Sequence, residues 1–562
     1  MPNTPMPRSK AHFPLAFALM LPIVTAQTIP YTPQARQRAL ALLKKMTVEE
    51  KVGQLNQSAG KPVGDLAPEK PDELIARGGV GSLLWLTNVH EINRLQHIAV
   101  EKTRLHIPIL FGFDVIHGYR TAFPVPLAMA SSWDPSVEEQ AQRFAAEDAR
   151  AAGIQWTFAP MVDIARDARW GRIVEGAGED PYLGAAMARA QVRGFQGPAI
   201  GANSVLASVK HFAGYGAAEG GRDYDAAYIP EGLMRNVYLR PFHAAALQGA
   251  ATFMSAYMDL NDVPATGNRW LLTDVLRHDW RFGGFVVSDA IAVGDLVTHG
   301  YASDGADAAY KAFSAGVNMD MASLTYAHHL AKLVADGKVT AAQLDEAVLP
   351  ILALKYDLGL FEHPYADESK VEETLSRPEG LTLERKLAAR SMVLLKNDNR
   401  TLPLNKAVGA IAVIGPLGDS PRDIEGGWTV ENLFGGESKS QPVTVLAGIR
   451  SKVGAQARVT YVAGPAPQRE YPSIFDAITG NKPVPPPTPA KIADTLEQVK
   501  SAAANADVVV AVLGETFGMS SESASRASLD LPGIQRQMLE TAVAAGKPVV
   551  LVLENGRPLD IG

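Results

Sequence analysis

The chain of 562 residues contains no cysteine. This absence excludes disulfide bonds, a cysteine nucleophile, thiolate-bound zinc and iron–sulfur clusters. The sequence also lacks a His-Glu-x-x-His motif and any dense group of histidine and acidic residues at ligand spacing, so we predict no metal site and no cofactor. No Gly-x-Gly-x-x-Gly follows a first predicted strand, which argues against a dinucleotide-binding domain.

Neither sign of charge dominates the sequence. There are 53 Lys and Arg residues against 60 Asp and Glu residues, for a formal net charge of −7. Because no basic patch stands out, we do not expect a nucleic-acid partner. Beyond the N-terminal segment there is no run of about 18 apolar residues, so we expect no membrane association of the mature protein. The oligomeric state is not readable from the sequence.

The first 26 residues have the pattern of a secretory signal peptide. Arg8 and Lys10 supply positive charge, Phe13–Val24 is a short apolar run, and the small residues that end at Ala26 fit a cleavage site. The apolar run is too short to span a bilayer as a mature helix. We therefore expect residues 1–26 to be removed and the protein to be periplasmic or secreted.

Apolar, strand-like runs alternate with helix-like segments between residues 27 and 365. This β-then-α spacing predicts parallel strands joined by crossover helices. Seven candidate strands come close to the eight of a TIM-like (β/α)8 barrel, with an open doubly wound sheet as the alternative. The candidate strands are Val80–Leu86, Ile107–Phe113, Thr157–Val162, Ser204–Val209, Thr252–Ser255, Gly284–Ser288 and Val317–Met321.

A second α/β region is predicted at residues 396–562, after a linker at 366–395. The linker assignment rests on the polar segment Glu362–Arg377 and on Pro378, which follows it. The sequence ends at Gly562, shortly after the last predicted strand, where a sheet would normally continue, so we expect an incomplete α/β sandwich. Its predicted strands are Ala410–Ile414, Ala457–Val462, Ala506–Leu513 and Pro548–Leu553.

Polar residues follow the predicted barrel strands at the points where these strands end. In a barrel enzyme the carboxyl ends of the strands carry the active site, so these side chains are expected to share one rim. A rim of acids, cations and a hydroxyl group suits a polyhydroxylated ligand such as a sugar. From the residues alone, Asp289 is either a nucleophile or an N-cap for the next helix. The rim residues are Asp114, Asp163, Arg172, Lys210, His211, Met254, Tyr257 and Asp289.

At these residues the sequence resembles glycoside hydrolase family 3, and within it most of all the bacterial periplasmic β-glucosidases. The resemblance runs from about residue 40 to the end, and the order of the motifs makes it specific. The motifs are Phe113–Arg120 (FDVIHGYR), Ala168–Arg172 (ARWGR), Gly176–Tyr182 (GAGEDPY), Lys210–Phe212 (KHF), Trp270–Leu276 (WLLTDVL), Gly284–Asp289 (GFVVSD), Leu394–Asn397 (LLKN) and Thr401–Leu404 (TLPL).

The resemblance implies a retaining, exo-acting β-glucosidase that hydrolyses terminal non-reducing β-D-glucosyl residues of oligosaccharides or glycosides. The active site would lie between the barrel and the sandwich. Asp289 matches the family's nucleophile. Residues that match the binders of the sugar in the −1 subsite, or line it, are Asp114, Arg172, Lys210, His211, Met254 and Tyr257.

The family's acid/base is a glutamate in the second domain, four residues before an arginine and a Leu-Pro stretch. Glu522 fits this pattern, with Arg526 and Leu531-Pro532 behind it, and nearby Glu515 is a rival. Trp428 matches a loop that can form the wall of the +1 subsite. The chemistry needs one carboxylate to attack and one acid to protonate the leaving oxygen, so a raised pKa is expected for Glu522.

Two departures from the family bear on specificity. Ala290 follows the nucleophile position, where many members carry an aromatic residue or histidine, so linkage and leaving-group preference stay open. The loop Gly220–Asp225 has no Asp-x-His dyad, which argues against the N-acetylglucosaminidase branch. The alternatives are a β-xylosidase or exo-glucanase of the same family, or a catalytically weak sugar-binding fragment.

Overall fold

A computed structural model describes residues 28–60, 69–405, 407–430, 432, 442–469, 476 and 484–562. The predicted signal peptide lies outside these residues. Within the described ranges, no helix combines the length and the apolar character needed to cross a membrane. The same ranges contain no group of three or more His, Asp or Glu side chains arranged to hold a metal ion.

The first domain is an eight-stranded parallel barrel, as predicted, and not an open sheet. The barrel strands are β1 (Asn56–Ala59), β2 (Ser82–Leu84), β3 (Leu110–Phe113), β4 (Trp156–Thr157), β5 (Leu206–Phe212), β6 (Thr252–Ser255), β9 (Phe285–Val287) and β10 (Asp320–Met321). They follow the order β10-β1-β2-β3-β4-β5-β6-β9. A bridge between Val287 and Met319 brings the two ends of this series together. A short hairpin of β7 (Asp259–Leu260) and β8 (Val263–Pro264) follows β6.

Strand β1 is the eighth strand, which the seven predicted strands do not include. Its sequence, Asn-Gln-Ser-Ala, has no apolar run, yet all four residues are buried. Hydrogen bonds satisfy the two side-chain amide nitrogens: the Asn56 amide donates to the Val52 carbonyl at 3.0 Å, and the Gln57 amide donates to the Ser82 hydroxyl at 2.7 Å. Buried polar groups are tolerated where they are paired, so hydrophobic patterning misses such a strand.

Helices surround the barrel, and several begin at residues suited to capping. Asp134 and Asp180 accept hydrogen bonds from backbone amides of the first turns that follow them, with proline at the start of each helix. Three helical segments of the first domain are π-helical, at 98–102, 234–238 and 270–279. The helical segments are Pro33–Leu43, Val48–Gln54, Pro71–Ala76, Val89–His97, Ile98–Lys102, Pro126–Ala130, Pro135–Ala151, Pro181–Gln196, Glu231–Leu233, Met234–Tyr238, Leu239–Leu247, Trp270–Asp279, Asp295–Thr298, Gly305–Ala315, Thr325–Ala335 and Ala341–Asp357.

Large aromatic side chains fill the barrel. The fully buried Trp156 meets Phe158 and Phe285 edge to face, with ring centroids 5.1 Å apart in each pair. Its indole N–H donates to the Thr252 hydroxyl at 3.0 Å, so the polar end of the ring is also paired. Packed aromatics of this kind stabilise the core and give the strand ends above them a rigid base.

The predicted linker, 366–395, contains two helices, Val371–Leu375 and Pro378–Ser391. The longer helix packs against Pro126–Ala130 and Pro135–Ala151 of the first domain. Arg377 reinforces this contact, because its guanidinium reaches Glu147 at 2.7 Å and Asp148 at 2.9 Å. The segment is therefore helical in part and attached to the barrel, and the domain boundaries stay a prediction.

The second domain contains a four-stranded parallel sheet, with strands close to the predicted ones. The strands are β11 (Ala410–Ile414), β12 (Arg458–Val462), β13 (Val508–Gly514) and β14 (Val549–Glu554), and the helices are Pro421–Glu425, Val445–Val453, Pro489–Ala504 and Gln535–Ala544. The strand order is β12-β11-β13-β14. Strand β13 is buried along its whole length, whereas β14 at the edge is only half-buried.

Candidate functional site

The predicted rim residues gather at the carboxyl end of the barrel. Asp114 follows β3, Lys210 and His211 lie in β5, and Asp289 follows β9. Arg172 lies in a 3-10 turn, Gly171–Glu175, in the loop after β4. All five side chains are almost completely buried. The parallel barrel places these residues together because its strands all end at the same rim.

Asp114 and Lys210 form a buried ion pair at one side of the rim. The Lys210 ammonium lies 3.0 Å from Oδ1 of Asp114, and the indole N–H of Trp85 donates to Oδ2 at 2.9 Å. The ammonium also lies 5.2 Å from the centre of the Trp428 ring, within the range of a cation–π interaction. Trp428 belongs to the second domain, so the two domains meet at this cation.

His211 connects Asp163 with Asp289. Its Nδ1 lies 2.9 Å from Oδ2 of Asp163, and its Nε2 lies 3.6 Å from Oδ2 of Asp289. Burial, together with the charges of Arg172 and Lys210, holds the pKa of His211 well below its usual value. The imidazole is thus neutral, with Nδ1–H donated to Asp163. Nε2 is then the ring atom that faces Asp289.

Met254 and Tyr257 lie next to Asp289. Met254 belongs to β6, is 2% exposed and is paired in register with Val287 of β9. The Tyr257 side chain interacts with Asp289, and burial raises its pKa well above the usual value, with further increases from Asp289 and Glu522. Both residues therefore lie where the sequence predicts them, within the lining of the rim.

Glu522 comes from the second domain and enters the same site. Its Oε1 accepts a hydrogen bond from the Tyr224 hydroxyl at 2.7 Å and lies 3.7 Å from Nη1 of Arg172. The residue is 5% exposed. Arg172 is itself held by Glu175 through two contacts of 3.0 Å, and Glu175 accepts a hydrogen bond from the Ser521 hydroxyl at 2.9 Å. This network joins the loop of Glu522 to the barrel.

A close backbone approach allows this loop to reach the barrel. A Cβ atom on Gly171 would lie 2.3 Å from the Ser521 carbonyl oxygen and 2.7 Å from that of Ala524. The Ser521 amide donates to the Gly171 carbonyl at 2.7 Å. A larger residue at 171 would push the loop away, because both contacts are to backbone atoms.

The two acids have raised pKa values, mainly because both are buried. Burial raises the pKa of Asp289 to about 6, although the charges of Arg172 and Lys210 oppose the increase. Burial raises the pKa of Glu522 to about 7; Arg172 lowers it, and Asp289 and Asp223 raise it further. The carboxyl group in the barrel is thus the more acidic of the two. A pair of carboxyl groups with separated pKa values is the arrangement that glycosidases use.

The rival acid, Glu515, is engaged elsewhere. Its Oε1 lies 2.9 Å from Arg526 and 2.9 Å from Arg557, and its side chain is 1% exposed. Arg557 is fully buried and donates to the carbonyls of Met519 at 2.5 Å and Ala524 at 2.8 Å. It also donates to the barrel carbonyls of Ala168 at 3.1 Å and Arg169 at 2.9 Å. Glu515 and Arg557 thus brace the Glu522 loop.

The structure adds residues that the sequence reasoning did not assign to the site, and for Asp163, which was predicted at the rim, it adds the partner His211. Most of these residues act through partners far away in the sequence, so no local pattern reveals them. Two of them had a local signal: Glu175 lies three residues after Arg172, between two of the family motifs, and Asp163 follows a predicted barrel strand. The added residues are Trp85, Asp163 as the partner of His211, Glu175, Asp223, Tyr224 and Arg557.

Comparison with known proteins identifies the family of the chain. The glycosyl hydrolase family 3 N-terminal domain model matches residues 47–354, and the C-terminal domain model of the same family matches residues 392–562. The chain is 42% identical over 541 residues to a periplasmic β-glucosidase of Salmonella typhimurium, covering 94% of this chain and 69% of that protein. It is 34% identical to a β-xylosidase of Formosa agariphila, covering 87% of this chain and 68% of that protein.

Solved structures of a β-glucosidase and an exo-glucanase are also similar to this chain. The β-glucosidase of Listeria innocua in complex with glucose superposes with a TM-score of 0.82 at 35% identity, covering 94% of this chain and 70% of that chain. An exo-1,3/1,4-β-glucanase of a Pseudoalteromonas species superposes with a TM-score of 0.78 at 27% identity, covering 94% and 65%. Two family models that span most of the chain, and a site built from both matched domains, place this protein in glycosyl hydrolase family 3 as a glycoside hydrolase.

Proposed function

We propose that the protein is a retaining, exo-acting β-glucosidase in which Asp289 is the nucleophile and Glu522 is the acid/base. The observation that carries the proposal is the arrangement of two buried carboxyl groups, one from each domain, around the guanidinium of Arg172. Retaining glycosidases need two such groups about 5–5.5 Å apart. The relatives named β-glucosidase support the substrate class.

In the first step, Glu522 gives its proton to the glycosidic oxygen while Asp289 attacks the anomeric carbon. The bond to the leaving group breaks and a glycosyl ester forms on Asp289. In the second step, ionised Glu522 takes a proton from water, which attacks the anomeric carbon and releases Asp289. The raised pKa of Glu522, about 7, keeps its proton available near neutral pH.

The remaining rim residues bind the glucosyl unit in this proposal. The Asp114 carboxylate accepts hydrogen bonds from sugar hydroxyls, and the Lys210 ammonium donates to them. Arg172 and His211 hold the side of the ring that lies near Asp289, and Met254 and Tyr257 line the floor. Trp428 stacks at the boundary with the leaving group, where an aromatic face suits a sugar ring.

The test is hydrolysis of an aryl β-glucoside and of cellobiose, with proton NMR of the first product. We expect turnover of both and initial release of β-glucose, because double displacement retains configuration. Initial release of α-glucose contradicts the mechanism. Turnover of the aryl substrate alone indicates that Glu522 is not in place. Binding of glucose without turnover of either substrate indicates a sugar-binding protein.

A β-xylosidase is the second candidate, because the chain is also 34% identical to a protein of that name. The two sugars differ by one hydroxymethyl group, so the ratio of kcat/KM for matched aryl β-glucoside and aryl β-xyloside decides between them. A methylene-sized difference in a pocket changes such ratios by about 10- to 200-fold. We expect the ratio to favour the glucoside.

We also propose that the protein is periplasmic. The signal-peptide pattern of residues 1–26 and the name of the Salmonella relative support this location. The test is expression of the full sequence in a Gram-negative host, followed by fractionation and mass determination of the N-terminus. An N-terminus at Gln27 in the periplasmic fraction is expected, and an intact Met1 in the cytoplasm contradicts the proposal.

A further inference from the structure

The barrel loop that carries Asp223 forms hydrogen bonds with the loop that carries Glu522. The side chain of Asp223 accepts hydrogen bonds from the Trp170 indole at 2.9 Å and from the Ser523 amide at 2.7 Å. The backbone amide of Asp223 donates to the Ser525 hydroxyl at 2.9 Å. Residues close to Glu522 in the second domain are therefore tied to one short segment of the barrel.

Tyr224, the next residue, reaches Glu522 itself. Its hydroxyl donates to Oε1 of Glu522 at 2.7 Å and lies 2.9 Å from the Ser523 hydroxyl. Its ring meets Tyr257 edge to face with centroids 5.3 Å apart. The backbone of Tyr224 has a φ of +68°, and Ser521 and Ser523 have φ values of +84° and +55°. Non-glycine residues in this region are uncommon and concentrate at functional sites.

We propose that Tyr224 is a positioning residue that holds Glu522 through Oε1, so that Oε2 is the oxygen that carries and delivers the catalytic proton. This inference rests on the proposed function. Oε1 accepts the tyrosine hydrogen bond and lies 3.7 Å from the Arg172 guanidinium, so the hydroxyl donor and the cation are beside the same oxygen. A proton on Oε1 would compete with the Tyr224 hydroxyl and the Arg172 guanidinium, whereas neither of these groups contacts Oε2.

The proton balance follows from this arrangement. In the first step the Oε2–H bond breaks, and the proton goes to the glycosidic oxygen as that oxygen leaves the anomeric carbon. In the second step a water proton returns to Oε2. The tyrosine keeps its own proton throughout, because partial burial of its ring and the neighbouring acids Glu522 and Asp223 hold the pKa of Tyr224 far above its usual value.

The hydroxyl of Tyr224 also stabilises ionised Glu522, because it donates a hydrogen bond to the charged form. Tyr224→Phe removes this donor and keeps the ring. The residue is 40% exposed, so the change leaves the core intact. We expect the alkaline limb of the kcat/KM profile to move up by about 0.5–1 pH unit. Hydrolysis of phenyl β-glucoside, a poor leaving group, should slow by about 3- to 10-fold.

Hydrolysis of 2,4-dinitrophenyl β-glucoside should change by less than about twofold at the first chemical step, because this leaving group needs little acid assistance. Tyr228→Phe is the matched control. Tyr228 lies in the same loop, but its hydroxyl donates to Asp262 at 3.0 Å and not to Glu522. This control should leave the pH profile and the ratio of the two substrates unchanged.

A double-mutant cycle with Glu522→Gln distinguishes the possible outcomes. If Tyr224 acts through Glu522, Tyr224→Phe adds no further loss on phenyl β-glucoside in the Glu522→Gln background. Equal effects of Tyr224→Phe on both substrates, or an alkaline limb that does not move, contradict the positioning role of Tyr224. These two outcomes leave the assignment of Glu522 as the acid/base unaffected. If Glu522→Gln keeps full activity on phenyl β-glucoside, or the unaltered protein turns over no glucoside, the acid/base assignment falls, and the role of Tyr224 falls with it.

Discussion

The two acids of the site are placed in different ways. Asp289 lies two residues after a barrel strand, Phe285–Val287, whose side chains belong to the main hydrophobic core of the molecule. Glu522 lies on an irregular loop of the second domain, and barrel residues hold that loop through Gly171, Asp223, Tyr224 and Glu175. One position is set by secondary structure, and the other is set by contacts between domains. Changes at a distance should therefore affect Glu522 far more than Asp289.

The largest expected effect is that of Asp289→Ala. Loss of the attacking carboxylate should reduce kcat on every glucoside by roughly 10⁴-fold or more, whatever the leaving group. The measurement is steady-state hydrolysis of phenyl and 2,4-dinitrophenyl β-glucosides. Isothermal titration with glucose is the control, since the folded variant should still bind the sugar. Residual activity within about 100-fold of the original contradicts the assignment of Asp289.

Glu522→Gln should have an effect that depends on the substrate. Loss of a general acid costs about 10²- to 10⁴-fold on substrates that need protonation. We expect a loss in this range for phenyl β-glucoside and accumulation of the glycosyl-enzyme with 2,4-dinitrophenyl β-glucoside, detectable as a burst and as added mass on the protein. Glu515→Gln is the matched comparison. A larger dependence on the leaving group in Glu515→Gln than in Glu522→Gln would reverse the assignment.

Arg557→Lys tests whether the contacts between the two domains hold Glu522 in place, as the comparison of the two acids implies. Lysine keeps the charge, but it lacks the planar fork that reaches carbonyls of both domains. We expect a loss of about 10- to 100-fold on phenyl β-glucoside through displacement of Glu522, with a much smaller loss on 2,4-dinitrophenyl β-glucoside. Arg526→Lys, which alters the other partner of Glu515, is the control. Equal losses on the two substrates would show that both acids are displaced together.

The smallest expected effect is the dependence of kcat/KM on pH. The kcat/KM profile should be bell-shaped, because Asp289 must be ionised and Glu522 protonated. Activity should fall as pH drops below about 6, the pKa of Asp289, and fall again above about 7, the pKa of Glu522. Glu522→Gln should remove the alkaline limb, and an unchanged limb in that variant would assign it to another group.

The difference between Asp289 and Glu522 also explains how much of the fold and of the site the sequence predicts. Apolar runs locate seven barrel strands and four strands of the second sheet, because buried parallel strands carry a strong hydrophobic signal. They miss Asn56–Ala59, which is buried although three of its four residues are polar. Asp289 stands out because it ends such a run. Glu522 lies among serines on a loop, and only the family resemblance singles it out.

Tyr224 and Arg557 mark the limit of prediction from local sequence. The hydrogen bond between Tyr224 and Glu522 joins residues 298 positions apart, and that between Arg557 and the Ala168 carbonyl joins residues 389 positions apart. Neither contact follows from spacing along a helix or strand. Both depend on how the two domains pack, and packing of this kind cannot be read from a sequence without the fold.

The interaction of Arg172 with both acids has a further consequence for the proposed reaction. Before the first step, the negative charge is on Asp289 and Glu522 is neutral; afterwards Asp289 is an ester and Glu522 carries the charge. Arg172, which stays paired with Glu175 throughout, therefore interacts with one further catalytic anion at both stages, although that anion has moved from one domain to the other. Little rearrangement of surrounding dipoles is needed, and a site with a constant net charge keeps the barrier to each step low.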